Sequence, residues 1–161
     1  MIISNKFPDR IYTLEELTKA RELIKKGYKH ELEVEGSDEF KLKVNTALKM
    51  IQTACYLDYL KTYIKSIVEI NGVSQLRDTD ATIWANIYTV KNAIEAAAYI
   101  IEKAKRMENY IEGEPYSEVE EIEAVEKSVE FLQALKKNSL DDSVKDQCYE
   151  IIELLVGDEV L

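Results

Sequence analysis

Two prolines and five glycines in 161 residues leave the chain few means of breaking helices or building long irregular loops, which points to a mainly helical fold. It has a single histidine, His30, and one imidazole cannot make a multi-histidine metal site. The two cysteines, Cys55 and Cys148, stand far apart and form no CxxC pair. They read as buried thiols, with one long-range disulfide as the alternative. Basic residues are outnumbered 21 to 31, giving a net charge of −10, the wrong sign for neutralising the phosphates of nucleic acid or an anionic membrane surface. No run approaches the roughly 20 apolar residues of a membrane span. The stretch Ala96–Ile101 is closed off by Glu102 and Lys103. The amino terminus, MIISNKFPDR, has neither a charged leader nor a long apolar core, so no signal peptide and a cytoplasmic location are expected. Gly-rich phosphate loops, GxSxG elbows and EF-hand loops are absent, as is a Cys/His pair set in a nucleophile motif.

What is present suits one domain over residues 1–161. Apolar residues make up 46%, enough for a substantial core, and the Lys, Glu and Ile richness has a thermophile flavour. The expected fold is mainly α with some β: about six helices and a small two- or three-stranded sheet or hairpin. Thr13-Leu14-Glu15-Glu16 is a capping box opening a helix that ends at Gly27, with Leu14, Leu17, Ala20 and Ile24 on one face. Residues 28–35 alternate apolar and charged, predicting a half-buried strand with His30 on the side of Leu32 and Val34. There His30 is expected to be hydrogen-bonded or at a boundary. Ser37 can cap a helix containing Phe40, Val44, Ala47, Leu48 and Ile51. A further helical stretch follows through Leu57, Leu60, Ile64, Ile67 and Val68. Asn71-Gly72 ends it or makes a tight turn, and residues 82–88 have the types of a short strand able to pair with 28–35. A long helix is expected from Val90 to Ile111, stopped by Gly113 and Pro115, with Ile94, Ala97, Ile101 and Ala104 as its stripe. Ser117-Glu118-Val119-Glu120 is a second capping box. The helix it opens carries Val119, Ile122, Val125, Val129, Leu132 and Leu135 on its apolar side, and a last helix spans about 142–156. The short basic clusters, Lys103/Lys105/Arg106 and Lys136/Lys137, read as solvated helix faces, and acidic pairs such as Glu120/Glu121 and Asp141/Asp142 as exposed residues or caps.

Residues 99–124, YIIEKAKRMENYIEGEPYSEVEEIEA, carry the one specific resemblance. The segment resembles the active-site region of small gluzincin-type zinc metallopeptidases. There an HExxH helix is followed by a short Gly-containing loop, and the next helix supplies a glutamate from an ExxA-like pattern. Val34–Phe40, leading into an amphipathic helix, resembles the strand-to-helix entry of such domains, so the likeness covers about residues 30–135. In this register Ile101 and Lys105 occupy the two histidine positions, Glu102 the general-base position, and Glu121 (or Glu118) that of the third ligand. Histidines four apart on one helix face hold zinc while the intervening glutamate activates water. Isoleucine offers no donor atom and lysine brings its own charge, so the resemblance implies a scaffold without metal, cofactor or peptidase chemistry. It also implies that the Lys105 ammonium replaces the cation, pairing with Glu121 or Glu102.

Three functions fit this reading. The first is a non-catalytic protein on a metallopeptidase-like scaffold that binds a protein or peptide, for which ten tyrosines offer a suitable surface. The second is a generic helical assembly module, with a homo-oligomer compatible. The third is an enzyme with a non-standard acidic site, vestigially Glu102 and Glu121.

Overall fold

The first helix, α1 (Leu14–Lys25), starts at the expected capping box: Glu16 N–H donates to Thr13 Oγ1, and the Glu16 carboxylate accepts from Thr13 N–H. The structure is a computed structural model that describes residues 6–113 and 115–157. Ala20 and Leu23 form the buried side of α1, while Leu14 lies 73% exposed. Gly27, at φ +96°, takes the left-handed conformation that turns the chain out of the helix.

Strand β1 is only Glu33–Glu35, because Leu32 at φ +59° interrupts the alternation that began at Tyr28. Ser37 caps α2 (Asp38–Thr53) by accepting from Phe40 N–H, and Phe40, Val44, Ala47 and Ile51 are buried at the expected spacing. Cys55 at φ +66° then breaks the chain before α3 (Leu57–Tyr63). Here the structure departs from the sequence reading: the helical stretch expected through Val68 stops at Tyr63, and Ser66–Glu69 is a strand, β2. It is an inner strand with Ser66 and Ile67, adjacent residues that point to opposite faces, both buried, so the period-two signature fades.

Strand β2 lies second in a four-stranded sheet of order β1-β2-β4-β3, one strand larger than expected. Strand β1 runs parallel to β2, and β2 parallel to β4 (Thr82–Ala85). Strand β3 (Gln75–Arg77) closes the far edge antiparallel to β4. The segments expected to pair, around 28–35 and 82–88, therefore belong to one sheet but are separated by β2. The register places Val34, Ile67, Ile83 and Leu76 in one row across the sheet, and Ile67 and Ile83 are fully buried. On the opposite face Ser66 and Thr82, both buried, satisfy one another through their hydroxyls at 2.9 Å.

Helix α4 (Ala93–Glu112), capped by Asn92 and stopped by Gly113 at φ +97°, is the central element. The four residues of its predicted stripe, Ile94, Ala97, Ile101 and Ala104, are all buried. It packs against α2, α5 (Glu120–Asn138) and α3, and α5 packs against α6 (Asp142–Val156). The alanines of α4 let neighbouring helices approach closely. The buried side of α5 is Glu120, Ala124, Ser128, Phe131, Leu132 and Leu135, rotated from the stripe expected at Val119 and Ile122, which are half-exposed. Nor does Ser117 cap α5. The N-cap position is Val119, without a side-chain cap, and Glu120 reaches back to Tyr116 N–H at 2.7 Å. No helix among the described residues is long and apolar enough to cross a membrane.

Candidate functional site: the seam between α4 and α5

The residues singled out by the metallopeptidase resemblance sit where α4 meets α5, and the structure divides them. Ile101 is fully buried in the core. Lys105, one turn further, is largely buried, its side chain 18% exposed, and bridges the two helices with Nζ 3.4 Å from Glu108 and 3.9 Å from Glu123. Glu121, the expected partner, lies on the exposed side of α5 and is not among the carboxylates within 4 Å of Lys105; Glu118 is exposed as well. The reason is the starting point of α5. With Glu120 as the first helical residue and turned inward, a 100° rotation per residue carries Glu121 outward and returns Glu123 towards the seam. Glu102, also expected as a partner of Lys105, is held instead by Arg106 Nε at 3.1 Å and Lys103 at 3.8 Å.

Two polar networks result. On the α3 side, Glu108 also accepts from Tyr59 Oη at 2.7 Å, and Tyr56 Oη donates to Glu130 at 2.6 Å. Lys127 pairs with Glu130 at 3.7 Å and lies over the Tyr59 and Tyr56 rings at 4.7 and 5.7 Å. Burial, followed by the nearby carboxylates, pushes both phenols well above the ordinary range, so Tyr56 and Tyr59 stay neutral donors.

On the sheet side, Arg106 Nη1 approaches Glu120 at 3.9 Å, and Glu120 is only 7% exposed. The α4–α5 loop folds over this pair. Tyr116, at φ +61°, donates its hydroxyl to Asp78 in the 3-10 turn Asp78–Asp80 that joins β3 to β4. That bond to a carboxylate, with burial, raises the Tyr116 phenol to about 12. Tyr110 donates to the Ile11 carbonyl, and burial, followed by the Asp78 carboxylate, raises its phenol above the ordinary range. Together Leu76, Lys103, Arg106, Tyr110, Pro115 and Tyr116, with Asp78 and Glu120, line a recess of about 210 Å³.

The sequence did not signal Asp78, Tyr110, Tyr116 or Glu123 as site residues. Glu120 was legible as the last residue of a capping pattern, which it completes one residue out of register, and as a member of an exposed acidic pair, whereas it is buried beside Arg106. The basic cluster Lys103/Lys105/Arg106 is not a solvated face, since each member is paired and partly buried. No cluster of three or more His, Cys, Asp or Glu able to hold a metal occurs among the described residues.

His30 lies elsewhere, 5% exposed, between Phe7 and Tyr28 with edge-on ring centroids at 4.5 and 5.1 Å. Its backbone N–H donates to Lys61 O, but Nε2 is buried without a partner, contrary to the hydrogen-bonded or boundary position expected. Burial, with a smaller contribution from Lys65, pushes its pKa down to about 4, so it is neutral near pH 7. Both cysteines are free: Cys148 is buried as expected, but Cys55 is exposed. Comparison with known proteins gives no match to a protein-family model, a curated sequence or a solved structure.

Proposed function

We propose that the protein is a non-catalytic binding protein, and that the recess between α4, the 3-10 turn and the α4–α5 loop receives a side chain of a protein or peptide partner. The observation that carries this reading is the engagement of the seam carboxylates. Asp78, Glu102, Glu108, Glu120 and Glu123 each have a cation or a phenol as partner, which leaves a neutralised hollow rimmed by tyrosines. General acid–base chemistry needs a carboxyl free to exchange a proton with substrate, and ion pairs of this kind oppose that role. At about 210 Å³ the hollow is smaller than the roughly 300 Å³ at which small-molecule sites begin, and suits one anchoring side chain. Tyrosine and arginine are the residue types that concentrate at the centre of protein interfaces.

The zinc-peptidase scaffold is part of the same proposal. Its support is that Lys105, at the second histidine position of the resemblance, reaches across the seam to Glu123 of the next helix, two residues beyond the expected Glu121.

The test is an array of immobilised peptides of diverse sequence, probed with the purified protein and with its Tyr116→Ala variant. Tyr116 is 77% exposed, so the variant is expected to fold. Peptides bound by the parent should lose at least about tenfold in affinity to Tyr116→Ala, the loss of one interface anchor. An array whose signals are the same for both proteins would refute the recess as the binding site.

A further inference from the structure

Away from the recess, α5 and α6, joined by only Ser139–Asp141, lie side by side and leave a groove open to solvent. At one end it widens to about 480 Å³ between Gln133, Lys136, Lys137, Lys145, Tyr149 and Ile152, with Glu153 as the one carboxylate on the rim. Past Gln133 it continues as a hollow of about 170 Å³ with Val125, Val129, Leu155 and Val156 as its apolar wall and Glu126 and Glu130 beside them.

The charge at the wider end of this groove runs against that of the protein. In a chain of net charge −10, Lys136, Lys137 and Lys145 gather at one end, and among the described residues none of the three lies within 4 Å of a carboxylate. What sets these three apart is their placement: they line one end of a single groove in which Glu153 is the one carboxylate. The groove floor is apolar and accessible: Tyr149 is 54% exposed, and the Lys136 ammonium lies over its ring at 5.0 Å. With a screening length near 8 Å at physiological salt, a group at this end feels the three lysines and Glu153 more than the carboxylates further along the groove.

We infer that the α5–α6 groove docks an acidic, partly apolar segment of a partner protein. Its carboxylates would lie over Lys136, Lys137 and Lys145, with an apolar side chain on Tyr149 and Ile152. A carboxylate relieves the mutual repulsion of the lysines, and the apolar floor removes hydrocarbon from water on docking. The apolar extension at Val125, Val129 and Leu155 sets the polarity, so the occupant's acidic end faces the start of α6. A nucleic acid strand would meet the same lysines but also the protein's overall negative charge, and would leave the apolar extension uncovered.

The experiment is selection of a random 12-residue peptide display library on the full chain, with the strongest peptides synthesised and titrated. The titration is repeated on Lys136→Glu/Lys145→Glu, Tyr149→Ala and Tyr116→Ala, all at exposed or half-exposed positions. The expected result is enrichment of Asp or Glu beside Leu, Ile or Phe. Affinity should fall at least about tenfold, about 1.4 kcal/mol, on charge reversal, fall on Tyr149→Ala, and be unchanged by Tyr116→Ala. Acidic peptides indifferent to the charge reversal overturn the inference. So does a selected pool without acidic bias, a pool lost only on Tyr116→Ala, a selection with no binder above background, or tighter binding of a single-stranded DNA 12-mer at these lysines. Because the recess is read by Tyr116→Ala and the groove by the lysine and Tyr149 variants, either reading can fail while the other stands.

Discussion

Lowering the pH from 7.5 to 5 should destabilise the fold through His30. The imidazole is 5% exposed, packed between Phe7 and Tyr28, and its Nε2 has no partner that would favour the charged ring. Its pKa is about 4 in the folded protein and 6.5 in the unfolded chain. A group whose folded pKa is depressed contributes full stability above its unfolded pKa and loses it as pH falls towards the folded one, here between about 6.5 and 4. The complete difference corresponds to about 3 kcal/mol at 1.36 kcal/mol per pH unit. At pH 5, linkage gives a loss of about 2 kcal/mol, while most carboxylates are still ionised. The assay is urea unfolding at pH 7.5 and 5.0 on the parent and on His30→Phe, which keeps an aromatic ring in the cluster but cannot titrate. The parent should lose about 2 kcal/mol more than the variant between the two pH values. At pH 7.5 the variant should be no less stable than the parent, since it removes a buried nitrogen without a partner. Equal losses in both proteins would show that the carboxylates alone carry the pH dependence and that the argument from His30 is wrong.

Three further outcomes are expected. Ile101→His/Lys105→His should bind zinc stoichiometrically by metal analysis, with binding lost on adding Glu123→Gln and kept on adding Glu121→Gln. A double variant that folds by circular dichroism yet binds no zinc would remove the support for a peptidase-like scaffold. Gly36→Ala should destabilise by roughly 1–3 kcal/mol in urea, as overpacking does, because a Cβ there would stand 2.7 Å from Glu69 Cβ and 2.8 Å from Phe40 Cδ1. A thiol reagent should label one cysteine per native chain quickly, exposed Cys55. Cys148, fully buried with its thiol pKa raised by burial, should react only on unfolding, and two equally fast thiols would contradict the packing of α6.

The sequence by itself determined the features that depend on neighbours along the chain. The capping box at Thr13, the Ser37 cap, the stop at Gly113 and the buried stripes of α2 and α4 all follow from residues within one or two turns of each other. The features it missed depend on groups brought together from distant positions. Ile64, Ile67 and Val68 match a helical stripe as well as a buried strand, and only the presence of β1 and β4 on either side makes β2 a strand. Val119 and Ile122 look more suited to the interior than Glu120, yet Glu120 goes inside because Arg106 and Tyr116 N–H meet its carboxylate there. That choice fixes the rotation of α5, and with it the pairing of Lys105 with Glu123 rather than Glu121. Local sequence sets where a helix begins and which residues share a face. Which face is buried was decided by tertiary structure, because the cost of burying a charge depends on what stands opposite it.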